Sequence, residues 1–177
     1  MEMTVPSHIE EAARYAVTIA RAAWEQRGID VPVGAVALSS VWTCGIGVAS
    51  DKRLNAPELH AEIYAILSAS LGLPRSSIDT IVSTMEPCRA CRTNIPRHAP
   101  SVTTVYYLLP REDLEDLGLV RRYSAAERAE LPPTSYEGIV LPLEGLRVEM
   151  LTLLGQLTRD HTTGETLVRK NNWLDEN

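Results

Sequence analysis

At 177 residues, 45% hydrophobic and 23% charged, the chain suits a single globular domain around one core, not a disordered or fibrous protein. Its net charge of −6 lacks the basic surplus expected of a polyanion binder, which disfavours nucleic acid without removing a local basic patch. No apolar run approaches a membrane span, and residues 1–11 carry acids and no Lys or Arg, unlike a secretory leader, so the expected location is cytoplasmic with no membrane partner.

Ser7 and Glu10 fit a capping box at the start of a first helix. Ile9, Ala12, Ala13, Ala16, Ile19, Ala20 and Ala23 recur at helical spacing behind it, giving an amphipathic helix that ends near Gly28. Segments 31–38 and 41–48 are β-branched and apolar, and Ser39-Ser40 between them marks a hairpin. A second helix is expected over 59–71, stopped by Gly72 and Pro74, and a third strand over 78–84. Pro87 opens a third helix in the N1 position that proline prefers. Segment 102–109 is nearly all apolar and reads as a fourth strand buried on both faces. Short helices follow at 112–117 and 123–130, and a longer one at 141–157 despite Gly145 and Gly155. Residues 160–177 are polar, with Trp173 an isolated aromatic suited to docking near a pocket. The strand–helix–strand order from Ile78 implies parallel pairing through a right-handed crossover, hence an α/β sheet covered by helices.

Three cysteines are an odd number, and two are three apart, which favours a metal or redox pair over a disulfide framework. The pair lies in Pro87-Cys88-Arg89-Ala90-Cys91 and is preceded by His60-Ala61-Glu62. One imidazole and two thiolates hold zinc while leaving its fourth position open to water. His60 starts the second helix, and Cys88 and Cys91 lie in the first turn of the third, so two positive helix ends converge on one spot. Glu62, two residues from His60, projects to another side of the turn and is placed to move protons without ligating the metal. A structural zinc site would need a fourth ligand, and Cys44, the spare cysteine, sits in an apolar strand where an inert buried thiol is usual. His8, His98 and His161 read as surface or capping residues.

The paired motifs make the chain resemble the cytidine deaminase superfamily, in the branch of tRNA adenosine deaminases and guanine deaminases. The match is carried by Asp30-Val31-Pro32-Val33-Gly34-Ala35-Val36, by Ala56-Pro57-Glu58-Leu59-His60-Ala61-Glu62-Ile63 and by Ser83-Thr84-Met85-Glu86-Pro87-Cys88-Arg89-Ala90-Cys91. The resemblance implies a three-layer α/β/α sandwich with a mixed, mostly parallel five-stranded sheet, and a homodimer. It implies one Zn2+ per chain on His60, Cys88 and Cys91, acid–base catalysis by Glu62, and substrate contact around Ala61 and Cys88. Relatives commonly place an asparagine about ten residues before the zinc histidine; here that stretch is Ala49-Ser50-Asp51, and Asn55 is the candidate substitute, with turn formation its other role. Arg89, between the ligands, is a candidate for binding phosphate or carboxylate at the pocket mouth, or a solvated helix-face arginine. On this reading 1–157 form a zinc-dependent deaminase domain and 158–177 a tail.

The expected function is hydrolytic release of ammonia from an amino-substituted nucleobase, nucleoside or related heterocycle, a small substrate in keeping with the acidic composition. Deamination of adenosine in a tRNA anticodon loop is the alternative within the family; Arg89, Arg92, Arg97, His98, Arg121 and Arg122 would supply its phosphate contacts. A zinc-stabilised interaction protein without catalysis is the alternative of another class, and the intact Glu62 argues against it.

Overall fold

The computed structural model describes residues 4–27, 32–48, 60–120 and 122–160, with side chains of 26–27 and 156–160 left aside. Asn55, Arg121 and the tail with Trp173 lie outside the described residues.

Helix α1 spans Ser7–Arg27 and strands β1 and β2 span Gly34–Ser39 and Trp42–Val48. Helix α2 covers Ala61–Ala69, strand β3 Thr80–Met85, helix α3 Arg89–His98 and strand β4 Thr104–Leu109. Short helices α4 (Arg111–Asp116) and α5 (Ala125–Ala129) precede strand β5 (Glu137–Val140) and helix α6 (Glu144–Asp160). The sheet runs β2-β1-β3-β4-β5. β1 is antiparallel to both β2 and β3, and β3–β4 and β4–β5 are parallel. The five-stranded mixed, mostly parallel sheet is as expected: β2, β3, β4 and β5 run in one direction, and β1 alone, fed in by the hairpin, runs against them.

Alternation along β1 and β2 assigns the layers. An added Cβ at Gly34 would meet the Ala16 carbonyl of α1 at 2.1 Å, whereas at Gly45 and Gly47 it would meet the Ala65 and Ala61 carbonyls of α2 at 2.2 and 2.0 Å. Gly45 and Gly47 pair with Ala37 and Ala35, one residue out of phase with Gly34, so α1 and α2 lie on opposite faces. Helix α6 joins α1, and α3 packs beside α2, completing three layers. The side-chain-free strand positions let the backbone of α2 lie directly on the sheet, which fixes the height of its N-terminus.

Several local expectations shift. The Pro6 carbonyl accepts from the Ile9 and Glu10 amides, so the helix begins at Ser7 and the capping box there does not form; the Glu10 carboxylate takes Arg14 instead. A capping box does form at Ser124 and Glu127, opening α5. The hairpin loop is Ser40-Val41, with Ser40 at φ 56° and its amide bonded to Asp79 Oδ2 at 2.6 Å. Within β4, Val105, Leu108 and Leu109 are buried, but Thr104, Tyr106 and Tyr107 are half-buried, so the strand is not enclosed on both faces. Strand β5, short and containing Gly138, gave no periodic signal.

Candidate active site

Helices α2 and α3 point their N-termini at one place. His60 is the N-cap of α2 and Cys88 the N-cap of α3, and neither side chain caps its own helix. Pro87 therefore precedes the N-cap and is not at N1: extended backbone at Cys88 (φ −66°, ψ 174°) turns the thiol toward His60, and the helix starts at Arg89. Cys91 follows in the first turn. The Sγ atoms of Cys88 and Cys91 lie 3.2 and 3.3 Å from His60 Nδ1. A single ring nitrogen has one hydrogen or one lone pair and cannot satisfy both sulfurs. A shared cation can: the three ligand atoms lie within 4.8 Å of one another, and a tetrahedral zinc with bonds near 2.0 and 2.3 Å needs nitrogen–sulfur spacings of roughly 3.5 Å. The donor set thus fits zinc. Among the described residues no fourth protein ligand joins this cluster. Cys44 instead donates to the Ala37 carbonyl at 3.2 Å, and burial pushes its thiol pKa up, keeping it neutral.

The two thiols divide their charge. The hydrogen bond from Cys91, aided by His60, holds Cys88 well below the usual thiol range; the same bond, with burial and the nearby Glu62, pushes Cys91 well above it. A bound divalent cation ionises both.

Glu62 is 3% exposed. Its Oε2 accepts from Cys91 Sγ at 3.4 Å, and its Oε1 accepts from Ser83 Oγ at 3.4 Å. Ser83 Oγ in turn accepts from the Met85 amide at 3.4 Å, which aims the hydroxyl hydrogen at the carboxylate. Burial, then the Cys88 charge, raises the Glu62 pKa, favouring a carboxyl group that takes up a proton readily.

A pocket of about 620 Å3, its open mouth included, rises from this cluster. His60, Ala61, Glu62, Pro87 and Cys88 form the floor, Arg89 stands among the lining residues, and Leu114, Val120, Tyr123 and Leu131 supply an apolar wall. An ion-pair network holds that wall. Buried Arg111 donates to Glu115 Oε1 at 3.1 Å and stacks 3.6 Å over the Tyr123 ring. Glu115 also accepts from Arg128 at 2.7 Å and from the Tyr123 amide at 3.2 Å. Glu86 bridges floor and wall, taking Arg92 at 2.5 Å and the Arg111 amide at 2.9 Å. Of the residues named from the sequence, His60, Ala61, Glu62, Cys88 and Arg89 line this pocket, Cys91 belongs to the ligand cluster at its base, and Asn55 lies outside the described residues. Sequence reasoning missed Ser83, whose signal was a hydroxyl in an apolar strand, and the wall, whose charged pairs carry no local pattern.

Residues 6–108, more than half of the chain, match the family described as the cytidine and deoxycytidylate deaminase zinc-binding region. The chain belongs to this deaminase family. Its zinc-binding region contains His60, Cys88 and Cys91, the cluster able to hold the ion. Solved structures of similar fold include one from a study of A-to-I editing by tRNA:A34 deaminases at the wobble position of transfer RNA; it is 23% identical, covers 82% of this chain and 99% of that one, and superposes with TM-score 0.55. A guanine deaminase from Nitrosomonas europaea is 17% identical over 88% of this chain and 94% of its own, with TM-score 0.58. A RibD from Acinetobacter baumannii is 18% identical over 82% of this chain and 38% of its own, also with TM-score 0.58. The chain shares its fold with all three. No described helix is long and apolar enough to cross a membrane.

Proposed function

We propose that the protein is a zinc-dependent hydrolase that replaces the exocyclic amine of a small amino-heterocycle, a nucleobase or nucleoside derivative, by oxygen and releases ammonia. The observation that carries this reading is the buried Glu62 carboxylate set beside, but outside, a three-ligand cluster. A purely structural zinc site has no use for a desolvated carboxylate, which costs stability unless it is employed.

His60, Cys88 and Cys91 are the ligands in this reading. Zinc held there supplies an activated water at neutral pH. Glu62 takes a proton from the attacking water, passes it to the ring nitrogen, and delivers a second to the departing amine. Ser83 holds Oε1 so that Oε2 faces the pocket floor. The Ala61 and Cys88 backbones edge the substrate, and the apolar wall from Leu114 to Leu131 excludes bulk water. The cyclic amidine C–NH2 and water are consumed; the carbonyl and ammonia leave.

A small substrate suits the surroundings better than tRNA. Of the arginines that would track a polynucleotide, Arg92 is neutralised by Glu86 and Arg122 by Asp116. Cytoplasmic location, a homodimer, and a tail packing Trp173 near its own or its partner's pocket belong to the same proposal. Deleting 160–177 is expected to lower turnover; full activity contradicts the tail's role. The reading itself is tested by ammonia release from adenine, guanine, cytosine, their nucleosides and nucleotides by zinc-loaded protein. At least one is expected to turn over; failure across the panel contradicts it.

A further inference from the structure

Among the described residues, a single buried side-chain polar atom has no hydrogen-bond partner: the Tyr136 hydroxyl oxygen. Tyr136 is 8% exposed, so the group is sealed from solvent as well. An unpaired buried hydroxyl is costly to keep and calls for a use.

Its place in the fold points to that use. Ser83 pairs with Tyr107, Tyr107 pairs with Val140, and Ser83 bonds Glu62, so these residues face the layer of α2 and α3. Tyr136 directly precedes β5, and the Glu137 amide already bonds the Thr103 carbonyl, so strand alternation carries Gly138 and Tyr136 onto the same face. The buried residues of α3 are Cys91 and Ile95, one helical turn apart, which makes Cys91 part of that helix's inner face. Burial pushes the Tyr136 pKa upward, so the hydroxyl keeps its proton and is a donor; it lies near enough to Arg92, Glu62, Cys91 and Cys88 to feel their charges. Arg92 has no acceptor to offer. Glu62 Oε1 already takes Ser83, and Cys88 is only half-buried at the N-cap. Cys91, 1% exposed, spends its hydrogen on Glu62 Oε2. A bound cation removes that hydrogen and leaves a buried sulfur anion in need of a donor.

We infer that Tyr136 is a positioning residue of the metal centre: its hydroxyl, through one buried water, donates a hydrogen bond to the Cys91 thiolate of the zinc-loaded protein. The bridge is a water because no sulfur stands within direct bonding reach of the hydroxyl. The link ties the start of β5 to the ligand helix and fixes the direction of the thiolate, as outer partners of metal ligands do. It rests on the zinc cluster alone and is independent of which heterocycle is consumed.

The test is Tyr136→Phe, which keeps the ring and removes the hydroxyl. Competition against a chelator is expected to show zinc affinity lowered about tenfold to a hundredfold. In cobalt-substituted protein the thiolate-to-metal charge-transfer band is expected to move to longer wavelength, because a sulfur relieved of a hydrogen bond gives up its electrons more readily. The zinc-free variant is expected to unfold at the same urea concentration as the zinc-free parent, since no protein partner is lost. An unmoved cobalt band, or a zinc affinity within about twofold of the parent, overturns the inference and leaves the deaminase reading standing. A zinc-free variant that unfolds earlier while its metal binding is intact also overturns it, by making the hydroxyl a folding element. A parent protein that binds neither zinc nor cobalt overturns both.

Discussion

The floor of the pocket comes from two short segments, 60–62 and 83–91, while its wall comes from 111–131 and is assembled by side chains that reach across several elements. On the floor, backbone geometry does the positioning: two helix N-termini and a strand end set three ligand atoms and a carboxylate within a few ångströms. In the wall, the Arg111–Glu115–Arg128 network and the Tyr123 stack hold two short helices and their linker together, and Arg147 clamps Asp113 of α4 at 2.7 Å from α6. Chemistry that must not vary is built on rigid backbone, and the surface that meets the substrate is built on exchangeable side chains. The two halves should therefore fail differently when altered.

The floor should fail completely. Cys88→Ser or Cys91→Ser is expected to bring zinc content from one per chain to near zero by elemental analysis, with activity lost together; a chelator should do the same reversibly. Glu62→Gln should keep its zinc yet lose about 10²–10⁴-fold in kcat, the usual contribution of a positioned acid–base group. Zinc-loaded Glu62→Gln with substantial turnover contradicts the division of labour. The wall should fail by degrees. Glu115→Ala leaves Arg111 buried without its main partner and should cost about 3 kcal/mol in urea unfolding, and raise KM more than it lowers kcat, while zinc content holds. Gly47→Ala tests the support under the floor. Its Cβ would stand 2.0 Å from the Ala61 carbonyl, so α2 must lift, costing about 1–3 kcal/mol and weakening zinc binding although residue 47 touches no ligand. Smallest of all, Ser83→Ala removes one donor to Glu62 and should lower kcat about tenfold with zinc content intact.

The same contrast explains what could be read before any coordinates. The ligands and Glu62 were legible because their chemistry needs particular residue types at fixed spacing, and helix starts at His60 and Cys88 place them. α1 was legible from its stripe, since Ile9, Ala12, Ala13, Ala16, Ala20 and Ala23 are buried as the period demands. Boundaries were less so. A capping box at Ser7 lost to the Pro6 carbonyl, and Pro87 was displaced from N1 because the Cys88 thiol is needed at the N-cap. The mostly parallel sheet was legible from the strand–helix–strand order, but that β1 inserts between β2 and β3 is a long-range choice with no local mark. The wall was illegible for the same reason: Glu115 with Arg128, and Arg147 with Asp113, are partners only once the chain has folded.

Zinc K-edge X-ray absorption of the purified, unliganded protein tests the central claim most directly. Two sulfur and two light nitrogen or oxygen neighbours are expected, with one metal per chain. Stoichiometric zinc coordinated by a third sulfur, or a protein that takes up no zinc, would contradict it.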